Sequence, residues 1–71
     1  GVFGMTLYVA RDFGGGLYLF PEKPILRTDY KYWDGDNWFK IDQDLFPEVT
    51  FENSPQEVEL VIKTDGLDSK R

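Results

Sequence analysis

The stretch that decides the fold runs from Met5 to Phe20: Met5-Thr6-Leu7-Tyr8-Val9-Ala10-Arg11, then Asp12-Phe13-Gly14-Gly15-Gly16, then Leu17-Tyr18-Leu19-Phe20. Side chains alternate faces along a strand. Met5, Leu7 and Val9 therefore share one face, with Thr6, Tyr8 and Ala10 on the other. Leu17 and Leu19 against Tyr18 and Phe20 repeat the period of two. Three consecutive glycines between the two runs suit a tight loop and would break a helix. The reading is a β-hairpin.

Working outward, Pro21 and Pro24 end the second strand, because proline cannot donate to a ladder. Residues 25–28 are expected to be a connection or a short extended piece. Asp29 to Trp33 and Asn37 to Asp42 are two further strand candidates, and Asp34-Gly35-Asp36 between them reads as the turn of a second hairpin. Leu45-Phe46-Pro47 reads as one turn of 3₁₀ helix tucked under the sheet, followed by a short strand at Val49, Thr50 and Phe51. Val58, Leu60 and Ile62 alternate with Glu57 and Glu59, which predicts a closing strand. Ser54-Pro55-Gln56-Glu57 also carries a helix-start signature. The β-branched residues that follow weigh against a helix. The expected architecture is mainly β, a small five-stranded antiparallel sheet or half-open barrel built from two hairpins and a closing strand.

At 71 residues the chain is one domain, with residues 5–63 as its β body. Residues 1–4 precede a methionine and are set aside as a tag or flexible N-terminus. Residues 64–71 are polar and read as a flexible tail. A domain this short buries only about 60% of its unfolded surface, and with no cysteine it has no disulfide to add to its core. Twelve aromatic residues supply much of the area to be buried. The lack of cysteine fits a reducing, cytoplasmic setting.

The net charge is −5, and it is unevenly spread. From Asp42 to Glu59 there are six acids and no base. A field of that sign disfavours direct nucleic-acid binding and docking on anionic membranes. No apolar run approaches the roughly 20 residues that span a bilayer.

The chemistry-bearing inventory is thin. There is no histidine or cysteine, so Ser54 has no histidine to activate it and no zinc site is expected. No catalytic, cofactor-binding or metal residue is assigned, and no enzyme is expected. Asp34-Gly35-Asp36-Asn37 resembles part of a calcium loop, but the twelfth position is Leu45 rather than glutamate. Turn chemistry explains those residues without a metal.

Three features point to partners. Both faces of the first hairpin are apolar, so both need cover. Either barrel curvature or the Pro21–Leu26 loop covers the aromatic face, or Tyr8, Tyr18 and Phe20 form a partner or dimer surface. Tyr30, Tyr32, Trp33, Trp38 and Phe39 surround the Asp-Gly turn, where they pair across strands or, through the tryptophans, grip a ligand or peptide. Asp42, Asp44, Glu48, Glu52, Glu57 and Glu59 form an acidic block, either a solvated face or a docking surface for a basic protein.

The runs Leu17-Tyr18-Leu19-Phe20-Pro21-Glu22-Lys23-Pro24 and DLFPEVTFENSPQEVEL (residues 44–60) resemble a group of small bacterial or phage-associated proteins of unknown function. That resemblance implies no activity, cofactor or binding residue. It implies a bacterial or mobile-element cytoplasmic setting and makes Leu45-Phe46-Pro47-Glu48 a fixed structural device. The functional expectation is a small non-enzymatic protein-interaction module, homodimeric in one version, with an unknown protein partner in another. The alternatives are an acidic decoy that mimics nucleic acid and a ligand or peptide binder acting through its aromatics.

Overall fold

The computed structural model describes residues 4–63. The expectations placed on residues 1–3 and 64–71 lie outside the described residues. Six strands form in chain order: β1 Gly4–Arg11, β2 Leu17–Phe20, β3 Ile25–Arg27, β4 Tyr32–Asp34, β5 Phe39–Ile41 and β6 Gln56–Val61. Among the described residues there is no helix, and hence none long and apolar enough to cross a membrane.

The main sheet is antiparallel with strand order β5-β2-β1-β6. The β1–β2 hairpin forms as its alternation predicts, with Tyr8 opposite Phe20 and Arg11 opposite Leu17. Its turn is closed by Asp12 N–H to the Gly16 carbonyl at 2.9 Å and Gly15 N–H to the Asp12 carbonyl at 2.9 Å. Of the three turn glycines Gly15 is the one at positive φ, 102°, a conformation that costs glycine nothing. β6 is a strand, as the β-branched run predicts, and pairs along β1 from Gly4–Val61 to Val9–Gln56.

The second hairpin is where the expectation fails. Asp34-Gly35-Asp36 does not join two paired strands. β4 turns back on β3, with Leu26 opposite Trp33, to make a separate two-stranded sheet. β5 instead joins the main sheet beside β2, with Leu19 opposite Phe39. The expected five-stranded half-barrel is thus replaced by a four-stranded and a two-stranded antiparallel sheet without barrel closure. The physical reason lies in what residues 34–38 must do. Gly35 passes so close to the Phe20 ring that a Cβ there would sit 3.0 Å from it, and Asn37 takes a left-handed φ of 58°. The segment crosses from one sheet to the other rather than reversing on itself.

The 42–53 segment holds turns, not a 3₁₀ helix, and Val49 to Phe51 is not a strand. Phe46 adopts φ 49°, which a bulky residue takes only when its surroundings impose it. Val49, rather than Leu45 or Phe46, is the residue this segment buries.

Register divides the main sheet into two faces. One carries Val9, Leu17, Leu19, Ile41 and Val58, and Val49 packs onto it to form the core. The other carries Ala10 and Phe20, both fully enclosed. Gly35 sits against Phe20 and β4 packs beside β1, so this part of the second apolar face is covered within the chain, while Tyr8 and Tyr18 stay half-buried.

Candidate functional site

Two surfaces among the described residues stand out once the core is accounted for. The first is a protruding ribbon. β1 pairs with β2 only from Tyr8 onward, whereas it pairs with β6 from Gly4. Pro21 follows Phe20 and ends β2, so no β2 residue lies beside Leu7. Gly4–Leu7 and Val58–Val61 therefore extend as two strands past the four-stranded body. The β1 edge over Gly4–Leu7 has no strand partner among the described residues.

Its outer apolar side chains Met5 and Leu60 are 52% and 59% exposed, as is Ile62 just past β6 at 72%, while Leu7 is buried. A two-stranded ribbon is marginal alone in water. Behind it, a groove of about 300 Å³ runs under Leu45 and Phe46, lined by Leu7, Leu19, Ile41, Val58 and Leu60. Glu59 lies across Gly4 on the ribbon's other face, where any Cβ would meet it at 2.8 Å.

The second surface is a cleft of about 140 Å³ between the two sheets. Tyr18 and Phe20 of β2 form one wall, and Tyr32 and Trp33 of β4 the other. Trp38 closes it, edge-on to Tyr18 with ring centroids 5.3 Å apart. Two carboxylates line it, Asp12 and Asp34. Asp34 is neutralised by Arg27, whose Nε donates to it at 2.9 Å. Asp12 is not: its Oδ1 accepts the Trp33 backbone N–H at 2.9 Å, and no ion pair reaches it among the described residues. Partial burial pushes its carboxyl pKa up from the ordinary value, with the Trp33 N–H pulling part of the way back. The Trp33 Nε1 hydrogen is buried and meets no acceptor among the described residues.

The sequence-level candidates divide between these surfaces and the solvent. Trp33, Trp38 and Tyr18 come together at the cleft. Phe20 forms its floor, but at 1% exposure it is a core residue. Tyr8 lies on the same face of the sheet, half-buried, outside the cleft lining. Asp42, Asp44, Glu48 and Glu52 are all exposed on the 42–53 loop, which caps the opposite face. Asp12 was not legible as a site residue, because the contact of the first turn with β4 is a tertiary event. The calcium reading of Asp34 to Asn37 loses its first ligand to Arg27, and among the described residues no three acids converge into a metal-holding group.

The chain matches no family model, no curated protein and no solved structure. Its functional reading therefore rests on the geometry of these two surfaces.

Proposed function

We propose that this domain is a small non-enzymatic protein-interaction module that self-associates through the β1–β6 ribbon. The observation that carries this reading is the uncovered apolar ribbon with a free β1 edge. Exposed contiguous apolar surface on a small domain marks a partner site, and a free strand edge is a template for pairing.

Charge favours a second copy on β1 rather than on β6. Gly4-Met5-Thr6-Leu7 carries no charge, so two β1 edges meet antiparallel without like-charge opposition. Pairing β6 with itself would set Glu57 and Glu59 against their own kind, which destabilises cross-strand pairs. Edge pairing through β1 also continues the sheet and brings two copies of Met5 and Leu7 onto one apolar face.

The test is Leu60→Lys, which places a charge among the ribbon's apolar side chains. Wild type should shift from monomer to dimer with concentration, while the variant stays monomeric with an unchanged far-ultraviolet spectrum. A wild-type chain that stays monomeric throughout would contradict the proposal. The exposed acids of the 42–53 loop support a second reading, an acidic decoy for a basic groove. That mode would weaken steeply with salt, whereas ribbon pairing would not.

A further inference from the structure

We infer that the cleft between the two sheets is a binding site for the guanidinium group of an arginine side chain presented by a partner chain. This goes beyond self-association, since the cleft opens beside β2 and β4 rather than along the ribbon. Three observations carry it.

The first is size. At about 140 Å³ the cleft is too small for a drug-sized ligand, which needs roughly 300–1,000 Å³. A cavity of roughly 150 Å³ does hold one planar ring such as benzene. The guest is therefore a single planar group rather than a whole cofactor.

The second is the lining. Tyr18, Tyr32, Trp33 and Trp38 supply ring faces and edges, and a cation is drawn to the electron-rich face of such rings. Among the described residues no lysine or arginine lines the cleft to repel it. The Lys31 ammonium is engaged elsewhere, 4.5 Å from the centre of the Phe13 ring.

The third is charge balance. Arg27 neutralises Asp34, whereas no ion pair reaches Asp12 among the described residues, which leaves the cleft one carboxylate in excess. Asp12 uses Oδ1 on the Trp33 N–H, and Oδ2 with the remaining lone pairs is open to a donor. A guanidinium answers both requirements, because it is planar enough to stack between rings and carries paired donors for a carboxylate. An ammonium is a compact, strongly hydrated charge that stacks less well.

The experiment is a titration of the full chain with N-acetyl-arginine methylamide, followed by the indole N–H signals of Trp33 and Trp38 in a nitrogen–proton correlation spectrum. Both signals should move and saturate, while the uncharged citrulline analogue at equal concentration should move neither. Asp12→Asn should weaken binding about tenfold or more, the loss of one charge-assisted hydrogen-bond pair. Trp38→Ala serves as the second variant, since Trp38 is 53% exposed and its removal leaves the core intact. It should likewise abolish saturation. No saturable shift at either indole would overturn the inference. So would equal binding by the citrulline analogue or by tetramethylammonium, because neither offers the charged fork. Leu60→Lys should bind arginine as wild type does, which separates this result from the fate of the ribbon.

Discussion

Five carbonyl groups converge on the Arg11 guanidinium, from Gly15, Gln43, Leu45, Phe46 and Val49, at 2.6–3.1 Å. Its backbone N–H adds a bond to Ser54 Oγ, which in turn donates to the Thr50 carbonyl. One residue, by its side chain at Gln43 to Val49 and by its backbone N–H at Ser54, thereby fastens both ends of the 42–53 loop over the core, in a chain that has no disulfide to do so. Arg11→Met keeps much of the stem but removes every donor, and should cost about 2–4 kcal/mol in urea unfolding. That is a large share of the roughly 4–10 kcal/mol a domain of this size commands. Lysine should rescue little of it, because three donors on a point charge cannot span five acceptors.

Asp12 makes the opposite prediction. Its folded pKa is raised above the ordinary 3.8, chiefly by desolvation, so the native state holds this proton more tightly than the unfolded chain. Its contribution is then most favourable in acid and is lost as pH rises through the folded value. Asp12→Asn retains an acceptor for the Trp33 N–H without the charge. It should match or exceed wild type in stability at neutral pH, and the difference should vanish once acid protonates Asp12. A variant less stable than wild type at neutral pH would contradict the desolvation account.

At the scale of elements, the packing of the small sheet on β2 turns on Gly35. A Cβ there would meet the Phe20 ring at 3.0 and 3.3 Å, and Phe20 is enclosed with nowhere to yield. Gly35→Ala should therefore destabilise by about 1–3 kcal/mol, the usual range for overpacking, and perturb Trp33 and Trp38 fluorescence as the sheets part. Unchanged stability would mean that β3–β4 is not seated on Phe20. This contact also explains why the elements were unequally legible. The β1–β2 hairpin and β6 are written in local alternation, so Met5 to Phe20 and Val58 to Ile62 reveal them. The Asp34-Gly35-Asp36 segment has the composition of a hairpin turn, yet its glycine serves close approach to a residue fifteen positions away, which local composition does not encode. Pairing choice followed from that, with β4 on β3 and β5 on β2. Val49 showed the same limit: its burial comes from the Arg11 clamp rather than from any strand period. At the cleft, aromatic composition flagged Trp33 and Trp38, but Asp12 carried no signal beyond turn chemistry.

Over the whole molecule, charge and apolar surface act against each other. With a formal charge of −5, two copies repel at long range, while the ribbons of Met5, Leu60 and Ile62 favour contact at short range. The Debye length falls from about 10 Å at 0.1 M salt to about 3 Å at 1 M, so salt removes the repulsion and leaves the apolar attraction. Sedimentation equilibrium of the purified chain across a concentration series, at low salt and at about 1 M, measures that balance directly. The proposed ribbon interface predicts a monomer–dimer equilibrium that tightens or holds at high salt and disappears in Leu60→Lys. A monomer under both conditions, or a dimer that dissolves as salt rises, would contradict it.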